Sequence, residues 1–393
     1  MKFNINAKVF KNITERVAII LNKKNMFPAF RTLVIETDNN MVKVFGTSNY
    51  LNSYVAVYTD DVEIIEAGIG YIDVQFLKRL YNITGEITVE TFNGKLRISN
   101  FKKQSEVYTE PFDYTYMSDN QKKELLFKAD KDDFLDTICK LTCCLSTNEQ
   151  KPLFTGYNIV KKDEDISVVS CDAYKLMRRI TNWSGEREFN ITIPNITKFF
   201  KKISDNKEEE IISTYTDDKH IWIEGKDFTY IVSLLEGNYP DLTNNLRDEN
   251  YDYWFDIDAK KLMNIGKEYN DITKEDCNGK MRPMYMCFTK NGFNTAVITS
   301  NYITSDNVDV YDNESNHLFY NTPKEMIWAV NPRYIKDVMK VFGDNIITIH
   351  GGNNEIKPWK FVDDNGYCAM ILSVRPNETF VNAVKNFIES KGE

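Results

Sequence analysis

The chain has 393 residues and a formal net charge of −9, with 42% hydrophobic and 13% aromatic residues. That length allows two to four domains with cores of their own, and no run of about 18 apolar residues is present to span a membrane. A negative balance by itself argues against nucleic acid, whose phosphates require Lys and Arg, so the distribution of charge has to decide.

The opening MKFNINAKVFKN lacks the apolar centre of a secretory signal. From there, Val9, Phe10, Ile13, Val17, Ile20 and Leu21 fall at helical spacing and predict a helix over 6–25. RTLVIETDNNMVKVFGTSNY (31–50) reads as strand, polar turn, strand and a short polar step ending on Tyr50. Phe76, Leu77 and Leu80 predict a second helix over 74–84, followed by a hairpin in ITVETFNGKLRIS. After the polar join MSDNQKKE the order returns. A helical pattern spans 130–147, LFTGYNIVKKDEDISVVSCDAY (153–174) ends on Tyr174, and Ile196, Phe199, Phe200 and Ile203 predict a helix over 194–206. RDENYD is the second join. Beyond it come a helix over 258–271, PMYMCFTKNGFNTAVITSNY (283–302) ending on Tyr302, and a helix over 331–345 carrying Ile335, Val338, Met339 and Phe342. Internal recurrence of this kind marks repeated units. The expected domains are 1–120, 121–248 and 249–375, three repeated helix-plus-antiparallel-sheet units in an α+β chain.

Residues 376–393 form a C-terminal helical extension. Asn377 or Thr379 can cap it, and Phe380, Val381, Val384, Phe387 and Ile388 make one apolar stripe, with Gly392 near its end. So short a helix is marginal alone and should dock. Two placements compete: packing on the third domain, or covering a groove beside the strand Met370–Arg375.

The six internal helices together carry net positive charge, and the rest of the chain is more acidic than the total. Lys8, Lys11 and Lys23, then Lys78 and Arg79, then Lys198, Lys201 and Lys202, and finally Lys336 and Lys340 oppose the apolar faces. A surface of such helices would attract phosphates without reading bases. Each helix taken singly reads first as a solvated Lys-rich face. The helix at 130–147 runs acidic, with Asp130, Asp132, Asp133 and Asp136.

Chemistry-bearing patterns are sparse. The seven cysteines, Cys139, Cys143, Cys144, Cys171, Cys277, Cys287 and Cys368, are odd in number and form no CxxC pair. Neither a disulfide framework nor a metal site is expected, and the cytoplasm suits them. Cys139 and Cys143 lie one helical turn apart and read as buried thiols. His220, His317 and His350 are scattered, and GIG at 68–70 is too short for a dinucleotide fingerprint. Asp60–Asp61 and Asp363–Asp364 read as turn residues. No catalytic set, metal or cofactor is expected.

The ordered set of motifs resembles the bacterial DNA polymerase III beta subunit, the sliding clamp family, across residues 1–375. MKF followed by a helix is similar to that family's start. KPLFTGYNIV then SCDAYKLMRR resembles RPxLxG then TDxxRL, and LLEGNYPD resembles LIxGxYPD. NPRYIKDVMKVF is similar to the last inner helix, and MILSVR to the terminal LxPxR strand. The resemblance implies a DNA clamp fold closed as a head-to-tail dimeric ring around duplex DNA. It also implies a pocket between the second and third domains where polymerase, clamp loader and repair proteins dock a short apolar motif. Carried over residue by residue, the pocket comprises Phe154 as an apolar wall, Cys171, Ala173, Tyr174, Lys175 and Leu176 in the TDxxRL stretch, and Pro240. Asn244 and Asn245 stand where a basic and an apolar residue are usual. Met370, Leu372, Val374 and Arg375 match the terminal strand, with Ser373 in place of its proline, and FPAFRTLVI departs from the usual TxPIL-like segment. Taken singly, each of these is ordinary packing; together they make an apolar groove with polar rims. A clamp-fold paralogue that binds such peptides without encircling DNA is the other reading open at this point.

Overall fold

Seven α-helices occur among the described residues of the computed structural model: α1 Ala7–Ala18, α2 Leu77–Leu80, α3 Lys131–Leu141, α4 Thr197–Ile203, α5 Ala259–Asp276, α6 Pro332–Phe342 and α7 Glu378–Ser390. The structure describes residues 1–38, 40–108, 122–205, 210–247, 251–276, 282–289, 292–311, 327–352, 357–375 and 377–390. Most of MSDNQKKE, the centre of RDENYD, Cys277, His317 and Gly392 lie outside them. Apart from short 3-10 turns, the remaining secondary structure among the described residues is antiparallel sheet, so the chain is α+β.

The helices start where expected but are mostly shorter. Asn6 caps α1, its side chain accepting from the Lys8 N–H at 3.0 Å. The expected extent of 6–25 is corrected to an end at Ala18. Ile20 and Leu21 are still buried, but Asn22 and Asn25 accept from the N–H groups of Lys24 and Phe27. These local bonds offer the backbone an alternative to the helix, so Lys23 sits in a turn. The 74–84 pattern opens as a 3-10 turn, Val74–Phe76, before the single turn of α2. Only α5 runs on past its expected end, to Asp276.

Contacts divide the chain into two compact units. The first comprises Met1–Ile138, Val160–Ile166 and Asn182–Glu236. Sheet 1 runs, in spatial order, Val62–Glu66, Lys2–Asn6, Glu86–Phe92, Lys95–Ser99, Gln104–Tyr108. Sheet 2 runs Glu124–Asp130, Ile211–Thr216, His220–Glu224, Phe228–Ser233, Ser53–Thr59, Val42–Ser48, Thr32–Thr37, Gly68–Asp73. Its centre joins distant sequence: Tyr230 is paired with Val55 and Phe228 with Val57. Alternation explains the faces, since residues two apart share one side of a strand. Phe127 stacks on Trp183 at 4.9 Å and Phe134 meets Phe200 at 5.1 Å beneath sheet 2. The GIG glycines are packing residues: a Cβ on Gly70 would meet Met1 at 2.7 Å and Leu96 at 2.9 Å.

The second unit comprises Cys139–Ile159, Ser167–Thr181 and Gly237–Glu393. Eight of the nine strands of sheet 3 run, in order, Gly156–Lys162, Asp165–Cys171, Lys175–Thr181, Tyr367–Ile371, Trp359–Val362, Ile346–Gly351, Tyr253–Asp258, Val310–Tyr311. Sheet 4 runs Ile303–Val308, Gly292–Ile298, Met284–Thr289, Ile327–Val330. Trp328 and Trp359 lie face to face at 4.4 Å in the core. α5 and α6 pack closely at Gly266, where a Cβ would stand 3.0 Å from both Ile335 Cγ2 and the Lys336 nitrogen.

The C-terminal extension is a helix capped by Asn377, which accepts from the Thr379 N–H at 3.0 Å. Val381, Val384 and Ile388 are buried against Tyr285, Cys287, Ala296, Ile298, Ile327 and Ala329, one face of sheet 4. That placement is the structural one. The groove-covering placement is corrected, because the apolar stripe is spent on sheet 4.

Candidate functional site

The strands Lys175–Thr181 and Tyr367–Ile371 lie side by side in sheet 3, with Leu176 paired to Met370 and Lys175 to Ile371. Leu176, Met370, Cys171, Val169 and Cys368 form a buried floor. Tyr239 and Leu246 join them, and Leu153, Phe154 and Leu242 pack against the cluster. The Phe154 ring meets the Tyr239 ring edge-on at 5.6 Å. Around this apolar cluster Tyr174, Pro240, Asn244, Asn245, Leu372 and Arg375 are exposed, and Ser373 and Val374 are half-buried.

The turn before the first strand is tight. Asp172 Oδ1 accepts from the N–H groups of Tyr174 and Lys175, both at 2.9 Å. Ala173 takes a positive φ of 77° between them, and its N–H donates to Cys171 Sγ at 3.3 Å. Tyr174 is thereby presented outward, 59% exposed, with its ring stacked on Tyr334 at 6.2 Å. The Leu372 N–H donates to the Tyr174 carbonyl at 2.9 Å and ties the terminal strand to the same turn.

Lys175 points inward. Its ammonium donates to the Cys143 carbonyl, lies 3.8 Å from Asp172 and 3.7 Å from Asp337, and sits 5.4 Å from the centre of the Tyr334 ring. Two carboxylates and a ring face offset the penalty of burying the charge. Beside it, Cys143 and Cys144 place their sulfurs 3.7 Å apart. The hydrogen bond from Cys144 holds the Cys143 thiol below its ordinary range, and burial pushes Cys144 well above. The neighbour of Cys143 is thus Cys144, and Cys139 and Cys143 are half-exposed, which corrects their reading as buried thiols.

One polar atom in the cluster is unmatched. The Tyr239 hydroxyl is buried without a hydrogen-bond partner among the described residues, and burial raises its pKa strongly. An orphaned buried hydroxyl at the edge of an apolar cluster is satisfied most simply by a ligand or by water. The sequence named Pro240 and passed over its neighbour Tyr239, although LLEGNYPD contains both. Leu153, Leu242 and Leu246 were also missed, because they come from a 3-10 turn and a loop without periodicity.

The cations assigned to a DNA-facing surface lie on neighbouring helices. In the first unit Tyr81, just after α2, shares a hydrogen bond with Thr14 of α1 at 2.9 Å, and Arg16 of α1 donates to the Ile203 carbonyl of α4 at 2.6 Å. Lys8, Lys11, Lys78, Arg79, Lys198, Lys201 and Lys202 on these three helices are exposed, as is Lys23 beyond α1. Lys11 lies 3.9 Å from Glu15. In the second unit Lys340 is exposed and Lys336 is half-buried, 3.5 Å from Asp337.

Among the described residues no group of three or more His, Cys, Asp or Glu side chains is placed to hold a metal, and no helix is long and apolar enough to cross a membrane.

A family model for the DNA polymerase III beta subunit, central domain, matches residues 128–241. The beta sliding clamp of Lactococcus lactis is 24% identical over 96% of this chain and 100% of that protein. The chain is similar to the DNA polymerase III beta subunit family over nearly its whole length and diverges from it in sequence. A second beta sliding clamp, from Streptococcus pneumoniae, is 21% identical over 95% of this chain and 99% of its own length. Among solved structures, the beta subunit of Streptococcus pyogenes DNA polymerase superposes with a TM-score of 0.83 at 17% identity, covering 96% of this chain and all of that one. The Bacillus subtilis DNA polymerase sliding clamp gives 0.81 at 16%, with coverage of 96% and 100%. The chain therefore shares the fold of these proteins through nearly its whole length.

Proposed function

We propose that this chain is a sliding clamp subunit without catalytic activity, which encircles duplex DNA as a head-to-tail homodimer and tethers a polymerase. We assign three domains, 1–120, 121–248 and 249–375, with 376–393 as an added helix. The observation that carries the reading is a recurring seam. The strand after Tyr50, Ser53–Thr59, pairs with Phe228–Ser233, the last strand of the second domain. Likewise the strand after Tyr174, Lys175–Thr181, pairs with Tyr367–Ile371, the last strand of the third. The strand after Tyr302, Ile303–Val308, and the last strand of the first domain, Gln104–Tyr108, are sheet edges among the described residues. Unpaired edges invite a partner. Joining these two between copies by the same rule produces a heterologous contact, which closes a ring when the rotation allows.

In that ring the helices line the hole. Their cations act on phosphates, so binding is independent of sequence and sensitive to salt. The groove over Leu176, Met370 and Tyr239 takes a short apolar segment of the polymerase, the clamp loader or another DNA-processing protein. The exposed rim supplies polar contacts, and the Tyr239 hydroxyl supplies a donor for a buried peptide carbonyl.

The test is retention on DNA after loading. On a closed circle the dimer is expected to persist, and linearising the circle should release it. Rapid loss from closed circles, unaffected by cutting, would overturn encirclement.

A further inference from the structure

The three domains begin with helices capped in the same way. Asn6, Asp130 and Asp258 each accept a hydrogen bond from an N–H two or three residues on, at 3.0, 2.8 and 3.1 Å. Counting from these caps puts Phe10, Phe134 and Leu262 at one buried position and Val17, Leu141 and Tyr269 at another. The register is therefore common to all three. Residue ten after the cap is Arg16 in α1, Lys140 in α3 and Glu268 in α5.

At the first seam, Arg16 reaches the turn ahead of the seam strand and holds Asp227, the residue before Phe228–Ser233, with two bonds of 2.7 and 2.9 Å. At the second, Lys140 lies 4.9 Å from the ring centre of Tyr367, first residue of its seam strand, in a turn that carries Asp363 and Asp364. The matching turn in the first domain is Asn100–Lys103, ahead of Gln104–Tyr108, closed by the Asn100 N–H donating to the Lys103 carbonyl at 2.9 Å. It carries Lys102 and Lys103, both exposed. Relative to Arg16 and Asp227 both positions have changed sign: the helix residue is now Glu268, and Lys102 stands in the turn where the second domain has Asp227 beside Lys226. Among the described residues Glu268, Lys102 and Lys103 take part in no ion pair within the chain, although Lys102 lies over the Phe101 ring at 5.1 Å.

We infer that the seam between copies is charge-inverted, with Glu268 of one copy facing Lys102 and Lys103 of the other. This rests on the ring reading above and adds to it a device that tells the intermolecular seam from the two internal ones. Glu268 would be repelled by the turns at Asp227 and at Asp363–Asp364, and Lys102–Lys103 would repel a helix carrying Arg16 or Lys140. Repulsion of wrong pairings is how charged rims give specificity, and exposed pairs contribute more to selection than to affinity. The device matters because edge strands pair readily with any other edge.

The test measures dimer dissociation by sedimentation at low and high salt. Glu268→Lys, and separately Lys102→Glu with Lys103→Glu, should each raise the dimer dissociation constant about tenfold or more at low salt. Combining all three substitutions should restore it to within about threefold of the parent. Unfolding curves check that each variant folds, and the positions are exposed. A variant with Glu268→Cys and Lys103→Cys should also form a copy-to-copy disulfide that neither single variant forms. A parent dimer left unchanged by Glu268→Lys, or a triple variant no better than the single ones, overturns the inverted seam and leaves the ring standing. A parent chain that stays monomeric at every concentration overturns the ring, and the seam with it.

Discussion

Arg16 of α1 and Asp227, 211 residues later, form a two-bond ion pair, while Arg16 Nε also holds the Ile203 carbonyl at the end of α4. The guanidinium is almost wholly buried and the carboxylate keeps 26% of its surface in water. Removing one partner leaves the other uncompensated. Asp227→Ala is therefore expected to destabilise the protein by about 2–3 kcal/mol, less than for a fully dry pair. Replacing both residues by leucine should recover part of the loss, because no charge is then left buried, while the Ile203 carbonyl loses the Arg16 donor. Denaturant midpoints of the parent, single and double variants check both points.

The groove makes a separable prediction. Leu176 is 1% exposed, so an aspartate there would disturb folding as well as binding. Phe154→Ala truncates a half-buried wall instead and should weaken a clamp-motif peptide by roughly 2 kcal/mol if it is a central anchor. Tyr239→Phe removes a hydroxyl that lacks a partner. In the free protein this should be neutral or slightly stabilising. In the complex it should reduce affinity, since the bond to the peptide is lost. Titration calorimetry beside thermal unfolding separates the two effects. Equal peptide affinity in both variants would show that the groove lies elsewhere.

Deleting residues after Arg375 should lower the melting temperature markedly. The helix α7 buries Val381, Val384 and Ile388 against sheet 4, and each such side chain contributes roughly 1.5–3 kcal/mol. Peptide affinity should stay within about twofold. A truncated chain that binds peptide much more tightly would return the helix to the groove.

Acid should act on sheet 1. The Lys2 ammonium and Arg97 hold the Glu90 carboxyl below its ordinary value of 4.5, and Lys95 and Arg97 do the same for Glu106. A lowered folded-state pKa stabilises the fold above the unfolded value and loses that effect as pH falls through the folded one. Glu90→Gln with Glu106→Gln should therefore melt lower than the parent at pH 7. The gap should narrow below about pH 4, where the parent carboxylates also become neutral. A gap that is constant from pH 7 to pH 3 would rule out a charge origin.

Cys143 should be the first thiol of the 143–144 pair to react with a small alkylating reagent. It is half-exposed and its thiolate is favoured by the bond from Cys144, whereas Cys144 is buried. Cys144→Ala should slow the labelling of Cys143, as peptide mapping by mass spectrometry would reveal. Faster labelling in that variant would mean that access controls the reaction.

What the sequence disclosed followed from local rules. Phe10, Ile13 and Val17 share one helical face whatever the rest of the chain does, and LLEGNYPD and MILSVR contribute Tyr239 and Met370 to one apolar cluster. What stayed hidden was set by non-local pairing. Nothing near Lys175 announces that Asp337 will neutralise it, and nothing near Arg16 announces Asp227. Helix length was misread for a related reason. Ile20 and Leu21 continue the apolar period of α1, but the side chains of Asn22 and Asn25 capture the backbone first.

Gly266 sets a spacing by what it lacks. With no Cβ there, α6 approaches until its backbone nearly touches α5, and a methyl group would have to push aside Ile335, the Lys336 nitrogen and the Pro332 carbonyl. The next residue of α6 after Lys336 is Asp337, a counter-charge of Lys175, and Lys175 in turn grips the Cys143 carbonyl. The gap between two helices thus works as a gauge block: its width is transmitted through one carboxylate and one ammonium to the turn that presents Tyr174. A single carbon added on the helix side would be felt as a tilt at the mouth of the proposed groove, which it never touches.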